Sequence, residues 1–312
     1  MELDAKIFIE EKIKEIKETI GNEKAISALS GGVDSSACTV LAHKAVRDNL
    51  KVIFIDDGLM RENEPEDVEK IFSDLGIQVH IIDAQEEFFK ALKGKSDPEE
   101  KRKAFRNIFY TVLGQQVLKS AAKFLVQGTI AADIIETKGG VKTQHNILEQ
   151  IGIDPEKGYG FKAVEPLKEL FKHQVREVAK ELGLPEKIYS RMPFPGPGLA
   201  TRVIGEANPE RITMVRKATR IVEEETEALR PFQAFAVLLN DKGTGIEKGS
   251  RKFGEIVIIR SVESRDALTA EPTQIPWEVL HKMSARITSE IPLVTRVAYE
   301  ITPKPPATIE YV

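Results

Sequence analysis

The segment from Ser30 to Ser36 has the residues best suited to chemistry in this sequence. It reads Ser-Gly-Gly-Val-Asp-Ser-Ser, after a short apolar run and before a helical one. Its glycines let backbone N–H groups approach an anion closely, its hydroxyls add donors, and a helix N-terminus adds partial positive charge. An ordinary capped strand–turn–helix is the alternative, which the full pattern disfavours. We therefore predict a phosphate-binding loop made of Ser30, Gly31, Gly32, Val33, Asp34, Ser35 and Ser36.

Asp34 narrows the kind of phosphate site. A carboxylate inside such a site is repulsive unless a cation lies between the two charges, so Asp34 predicts a bound Mg²⁺. No Gly-Lys-Ser/Thr follows the glycines, which excludes a Walker A loop, and the pattern is not the G-x-G-x-x-G of dinucleotide sites. The loop is therefore predicted to hold phosphate groups together with a metal ion.

Alternating strand and helix patterns surround this loop. Strands are predicted over 25–29, 51–55, 77–82 and 124–127, and helices over 9–20, 34–47, 62–75, 98–123 and 171–182. Such alternation predicts an α/β fold with a doubly wound parallel sheet, in which ligands bind at the carboxyl ends of the strands. The loop and the Asp56-Asp57-Gly58 turn both fall at such ends.

The run from Arg191 to Gly198, Arg-Met-Pro-Phe-Pro-Gly-Pro-Gly, marks a change of organisation. Its prolines and glycines exclude a helix or a central strand. We therefore predict one domain over 1–190 and a smaller α+β domain over 191–312. The second is expected to have helices near 209–229 and 276–290, and strands near 232–239, 255–262, 294–301 and 308–311.

Composition and charge exclude several classes of protein. The formal net charge of the 312 residues is -4, which gives no global attraction to nucleic acid or to an anionic membrane. The single cysteine, Cys38, rules out an internal disulfide and a cysteine zinc site. The N-terminus does not read as a signal peptide, and no run of about 18 apolar residues is present, so a cytoplasmic protein is expected.

The seven-residue loop matches the SGG-x-DS pattern of the ATP-pyrophosphatases, and further strings resemble the GMP synthetases within that family. These strings cover nearly the whole chain, and the last two are specific to GMP synthetases. They are FIDDGLMR at 54–61, DPEEKRK at 97–103, QGT with DIIE between 127 and 136, EPLKELFK at 165–172, PFPGPGL at 193–199 and KPPATIE at 304–310.

The resemblance implies a fold and a reaction. The fold would be adenine nucleotide alpha hydrolase-like, with a C-terminal domain for dimerisation and XMP binding. With ATP and Mg²⁺, XMP would be adenylylated and then aminated to GMP, with release of AMP and pyrophosphate.

The resemblance also implies site residues. For catalysis they are Asp34 (also the metal ligand), Asp133, Glu136, Lys142 and His145. For ATP they are the seven loop residues with Ile55, Asp57 and Gly128. For XMP they are Arg102, Gln233, Arg296, Lys304, Ile309 and Glu310.

Several of these residues also have an ordinary interpretation. Arg102 lies in a charged helical stretch, Asp133 and Glu136 are spaced as a surface pair, and Lys142 follows a Gly-Gly-Val loop. The chain departs from the family at Gln144, where a histidine is usual, so that an acid–base role passes to His145, water or a carboxylate. It also departs at residues 248–251, which read KGSR where the family has GDGR.

The setting of Cys38 indicates whether this chain could release ammonia from glutamine by itself. Glutamine hydrolysis needs a reactive cysteine in a nucleophile elbow or at the mature N-terminus, whereas Cys38 lies within a predicted helix. We interpret it as a buried structural thiol and predict a separate glutamine amidotransferase subunit as partner. The resemblance further implies a homodimer in which Arg296 enters the site of the partner subunit.

Three other functions remain open at this point. NAD synthetase shares the loop, but the PFPGPGL and KPPATIE strings disfavour it. A tRNA thiolase would need catalytic cysteines and a basic face. A nucleotide-binding sensor without chemistry would leave Asp34, Lys142 and the C-terminal strings without a role.

Overall fold

The computed structural model describes residues 3–131, 133–134, 161–265 and 267–312. The chain forms two compact units. The first unit comprises Met1–Asp56, Glu64–Asp83 and Phe109–Arg191, and the second comprises Asp57–Asn63, Ala84–Ile108 and Met192–Val312. The predicted division into 1–190 and 191–312 stays a prediction.

A five-stranded parallel sheet forms the centre of the first unit. Its strands are β1 (Ala25–Leu29), β2 (Leu50–Asp56), β3 (Val79–Asp83), β4 (Phe124–Val126) and β5 (Lys162–Val164). Their order is β3-β2-β1-β4-β5, and every pair is parallel. The predicted α/β fold is thus confirmed. The order reverses between β1 and β4, and ligands bind in the crevice at such a reversal.

Nine α-helices lie in the described parts of the chain, and none of them is long and apolar enough to cross a membrane. They are α1 (Ala5–Ile20), α2 (Val33–Val46), α3 (Glu64–Asp74), α4 (Gln85–Leu92), α5 (Pro98–Ser120), α6 (Lys172–Glu181), α7 (Glu186–Tyr189), α8 (Pro209–Thr226) and α9 (Trp277–Glu290). α1 starts where the carboxylate of Asp4 accepts from the backbone N–H of Lys6 at 3.0 Å, a normal N-cap contact.

Helix α2 and strand β1 are the most deeply buried elements of the first unit. Ile26 of β1 and Leu41 of α2 are fully buried, and α2 packs against both α1 and α6. Burying an aliphatic side chain of this size stabilises the fold by about 1.5–3 kcal/mol. The loop between β1 and α2 is therefore mounted on rigid elements.

A mixed sheet forms the second unit together with α8 and α9. Its strands are β6 (Gln233–Glu247), β7 (Ser250–Glu263), β8 (Glu271–Pro272) and β9 (Val294–Glu300). β7 pairs antiparallel with β6 and β8 and parallel with β9, and α8 packs on β6. The predicted α+β character of this part is confirmed.

The strand predicted near 308–311 is wrong. The chain there forms no strand, and the carbonyl of Thr308 accepts from Nη2 of Arg260 at 3.1 Å instead. Ile309 is buried beside Val262 and Ala270. The apolar alternation that indicated a strand reflects this burial, and Pro305 and Pro306 just before it have no N–H to donate to a ladder.

Candidate active site

The predicted phosphate loop joins the end of β1 to the start of α2. Gly31 has a positive φ of 73°, which a side chain would disfavour. Gly32 is the N-cap of α2, and no side chain in the described residues caps this end. The first N–H groups of the helix therefore stay available to an anion, with the positive end of the helix dipole behind them.

The hydroxyls of Ser30 and Ser35 hold the loop in shape. Their Oγ atoms lie 3.0 Å apart, and Ser35 Oγ also donates to the carbonyl of Gly32 at 3.1 Å. The backbone N–H of Ser30 donates to Ser35 Oγ at 3.1 Å. Ser36 is fully buried, and its hydroxyl has no hydrogen-bond partner within the described part of the chain. The hydrogen bonds of Ser30 and Ser35 thus stabilise the loop from within.

Asp34 in the first turn of α2 has two differently placed carboxylate oxygens. Oδ2 accepts from Nζ of Lys172 at 2.6 Å. Oδ1 is buried, and no described residue donates a hydrogen bond to it. A buried carboxylate oxygen without a protein donor fits a hard cation such as Mg²⁺, which takes one or two carboxylates with phosphate oxygens and water.

Gly128 brings the end of β4 against the loop. A Cβ atom at this position would lie 2.9 Å from the carbonyl carbon of Asp34 and 2.9 Å from the backbone nitrogen of Ser35. These are backbone atoms that cannot move aside without shifting α2. Any larger residue at position 128, within the QGT string, would therefore clash with the loop.

A buried ion pair supports the loop at Gly31. Glu64 of α3 is almost fully buried, and its Oε1 lies 2.7 Å from Nη1 of Arg191. The same nitrogen donates to the carbonyl of Gly31 at 3.0 Å. Removing either partner would leave a buried charge unpaired. Because the paired arginine also binds the carbonyl of Gly31, the ion pair helps to hold the loop in this conformation.

The chain that follows β4 is closely hydrogen-bonded. Asp133 Oδ2 accepts from the N–H of Ile130 at 3.0 Å, and Thr129 Oγ1 lies 2.6 Å from Glu165 Oε1. Cys38 Sγ lies 3.3 Å from the carbonyl oxygen of Gln127. Burial raises the pKa of Cys38 well above its usual value, and the charge of Asp34 adds to the effect. The thiol therefore stays protonated, which fits the predicted structural role.

Two predicted ATP contacts lie on or just after β2. Ile55 is buried within β2. Asp57 is the first residue of the second unit, and its Oδ1 accepts from the backbone N–H of Leu59 at 2.7 Å. The carboxylate of Asp57 thus shapes its own turn, and its predicted contact with ATP stays a prediction.

In the second unit, Glu310 is held by two side chains. Arg202 donates from Nη2 to Oε1 at 2.9 Å and from Nε to Oε2 at 3.1 Å. Gln233, a predicted XMP residue, donates from Nε2 to Oε1. Two of the predicted substrate residues, Gln233 and Glu310, are therefore in direct contact.

The other predicted XMP residues have different surroundings. Arg102 pairs with Glu99 within α5. Lys304 donates from Nζ to the carbonyl of Ala267 at 2.7 Å. Ile309 lies in the core described above. Arg296 is exposed on β9, and its side chain lies over Gly243, where an added Cβ would be 2.6 Å from Cδ of Arg296. Their roles toward a substrate stay predictions.

Comparisons with known proteins bear on both units. Residues 5–197 match the family model described as NAD synthase, and residues 220–311 match the one described as GMP synthase C terminal domain. A protein from Pyrococcus horikoshii, named as one subunit of a glutamine-hydrolyzing GMP synthase, is 55% identical over 97% of this chain and 98% of its own length. Proteins of the same name from Archaeoglobus fulgidus and Methanocaldococcus jannaschii are 53% and 50% identical, each over 99% of this chain. The chain belongs to the family of this GMP synthase subunit.

Membership of the GMP synthase family confirms the ligase class and the use of ATP that the resemblance implied. The NAD synthase match covers the part of the chain with the phosphate loop, which these two kinds of ligase share. The C-terminal match separates them in favour of GMP synthase. Glu136, Lys142, Gln144 and His145 lie outside the described residues, so their roles stay predictions.

Two residues that were not predicted, Lys172 and Arg202, contact predicted site residues, namely Asp34 and Glu310. Lys172 ends the EPLKELFK string, and the resemblance assigns it no role. A lysine at the first position of α6 is unfavourable for the helix dipole. Such an unfavourable position could have marked Lys172 in the sequence as a candidate functional residue. Arg202 lies 108 positions from its partner Glu310, and no local pattern marks it.

Proposed function

We propose that this chain catalyses the ATP-dependent amination of XMP to GMP through an adenylyl-XMP intermediate. One observation supports this most directly. Asp34, with a buried oxygen that no described residue pairs, lies with Lys172 at the open N-terminus of α2, as a nucleotide–metal site requires. The names of the near full-length relatives supply the acceptor, because each is a subunit of GMP synthase.

The loop binds the phosphates of ATP in this proposal. Backbone N–H groups at the start of α2 donate to the phosphate oxygens, and Asp34 would hold Mg²⁺, which would neutralise charge on the phosphates. Lys172 is paired with Asp34 in the structure. The ammonium of Lys172 would stabilise the negative charge of the departing pyrophosphate.

The chemistry has two steps. The C2 oxygen of XMP attacks the α-phosphorus of ATP, and pyrophosphate leaves. Ammonia then adds to C2 and loses a proton, and AMP leaves with the former C2 oxygen. We propose that these steps also use Asp133, Glu136, Lys142 and His145. The adenylyl intermediate must be kept from water while it waits for ammonia.

XMP is proposed to bind in the second unit. Glu310, fixed by Gln233, accepts from the purine ring. The remaining substrate contacts would come from Arg102, Arg296, Lys304 and Ile309. Arginine and lysine suit the 5′-phosphate, because guanidinium groups bind phosphate oxygens in pairs.

Ammonia is proposed to come from a separate glutamine amidotransferase subunit. The relatives are named as glutamine-hydrolyzing and as one subunit of the enzyme. The only cysteine of this chain, Cys38, is buried with a raised pKa and so cannot act as the nucleophile. The expected cytoplasmic location stays a prediction.

We further propose a homodimer through the second unit. Ile246 on β6 and Phe253 on β7 are 81% and 69% exposed. The β6–β7 register pairs Thr244 with Phe253, which places the two apolar side chains on one face of the hairpin. A covering subunit would remove this apolar area from water. Light scattering on the chain and on Phe253→Asp tests this, and a monomeric wild type would refute it.

The function is tested by pyrophosphate release from ATP with XMP, Mg²⁺ and ammonium chloride, each omitted in turn. Release that requires XMP, with GMP and AMP as products, is the expected result. Release that requires deamido-NAD instead would favour the reaction named by the NAD synthase match. ATP binding without release on any acceptor would favour a sensor.

A further inference from the structure

Arg202 is a buried cation that the mechanism above does not use. It ends a short 3₁₀ helix, Gly198–Arg202, and its side chain is 1% exposed. Its guanidinium lies over two aromatic rings, 4.8 Å from the ring centre of Phe194 and 4.1 Å from that of Phe235. Among the described residues its charge is paired with Glu310 and with no other carboxylate. A buried cation of this kind is retained only where its partner is well placed.

Counting donors from the described residues alone, the contacts of Glu310 leave one acceptor position. Oε1 accepts from both Arg202 and Gln233, and Oε2 accepts from Nε of Arg202. A carboxylate oxygen has two lone pairs, so both on Oε1 are occupied and one on Oε2 remains. The Glu310 side chain is 23% exposed, so this remaining position can be reached.

The residues around the Arg202 guanidinium are themselves held by further contacts. The Phe194 ring also contacts Arg61, whose guanidinium lies 4.3 Å from the same ring centre. Arg61 is itself held by Glu223 at 2.8 Å. Beside the 3₁₀ helix, the buried Lys101 donates to the carbonyl of Val203 at 2.6 Å. Arg202 is therefore a buried cation with several contacts rather than an exposed surface charge.

We propose that Arg202 is the positioning residue of Glu310, orienting it so that Oε2 accepts one ring N–H of the substrate purine. This rests on the proposed function and adds the residue that holds the accepting carboxylate in place. An oxopurine with a hydrogen on a ring nitrogen beside C2 satisfies Oε2. The adenine ring of AMP has no such hydrogen and leaves the remaining acceptor position on Oε2 without a donor, which disfavours its binding.

The experiment compares Arg202→Met and Arg202→Lys with the wild type in the full chain. KM for XMP and for ATP are measured with ammonium chloride as nitrogen source, and XMP binding is measured by calorimetry. The Met variant should raise KM and Kd for XMP about tenfold or more, with KM for ATP within about twofold. The Lys variant should restore part of the loss, since it keeps the charge but loses the paired donors.

Arg286→Lys is the matched control. Arg286 also pairs with glutamates, at 2.8 Å from Glu225 and 2.8 Å from Glu290, but it lies on α9. It should leave both KM values unchanged. An unchanged KM for XMP in the Arg202 variants, or an equal rise for XMP and ATP, overturns the proposal. Where the Met variant fails to fold, the Lys variant decides alone.

The two proposals fail in different ways. A wild type that binds XMP by calorimetry but releases no pyrophosphate with it refutes the proposed function, and the Arg202 variants still decide the positioning role by their Kd for XMP. A wild type that does not bind XMP overturns both.

Discussion

The ammonium of Lys172 lies 2.6 Å from Oδ2 of Asp34, although 138 positions separate the two residues. The pair joins the first turn of α6 to the first turn of α2. A cation at a helix N-terminus opposes the helix dipole, so the contact with Asp34 offsets an otherwise unfavourable position. The same placement brings a half-exposed positive charge to the predicted phosphate-binding loop.

Lys172→Met should therefore impair the use of ATP. We expect kcat/KM for ATP to fall about 100-fold, because a group that stabilises charge in the transition state is lost. The measurement is XMP-dependent pyrophosphate release at varied ATP. Lys180→Met, an exposed lysine of the same helix, is the control and should retain its activity. If kcat/KM for ATP is the same in the two variants, Lys172 has no more effect on the use of ATP than an ordinary surface lysine.

Gly128→Ala should weaken ATP binding through a steric effect. The added methyl would lie 2.9 Å from backbone atoms of Asp34 and Ser35, so the start of α2 must shift. We expect Kd for ATP, measured by calorimetry, to rise about tenfold or more. Gly196→Ala is the matched control, because its Cβ would meet nothing within 4 Å. Equal affinity in both variants would contradict the close packing of β4 on the loop.

Cys38→Ala should keep the ammonia-dependent activity within about twofold, since the thiol is proposed to pack and not to react. Its raised pKa, caused mainly by burial, keeps it protonated at neutral pH. Cys38 of the folded wild type should accordingly resist alkylation by iodoacetamide, and mass spectrometry measures the extent of alkylation. It should also make no GMP from glutamine alone. Formation of GMP from glutamine by the isolated chain would overturn the proposed need for a second subunit.

Lys101 predicts a particular dependence of stability on pH. Burial lowers its pKa from 10.5 to about 8, and the nearby charge of Arg211 acts in the same direction. Between pH 8 and 10.5 the unfolded chain binds more protons than the folded one at this residue, so its contribution to stability rises with pH.

From pH 7.5 to 9.5 the free energy of unfolding should gain roughly 2 kcal/mol from this residue. Lys101→Met has no proton to lose and should lack that gain. The comparison is made by urea unfolding of both proteins at the two pH values. Parallel changes in the two proteins would show that Lys101 has an ordinary pKa.

Local patterns were enough to predict much of the first unit. The apolar run at 25–29, the glycine turn and the helix after it specify β1, the loop and α2, because each depends on neighbouring residues in the chain. The parallel sheet follows from the alternation of such segments. β5 (Lys162–Val164) was missed, since three residues with an exposed lysine carry no periodic signal.

The sequence by itself determined the phosphate loop, with Asp34 in its first helical turn, and the α/β class, because these follow from residues adjacent in the chain. The tertiary structure decided the pairing of Asp34 with Lys172 and of Glu310 with Arg202, and it placed Ile309 in a core rather than in a strand. Both ion pairs join residues more than 100 positions apart. No local propensity encodes such a contact; it arises when packed strands and helices bring distant side chains together, and when burial makes each charge depend on its partner.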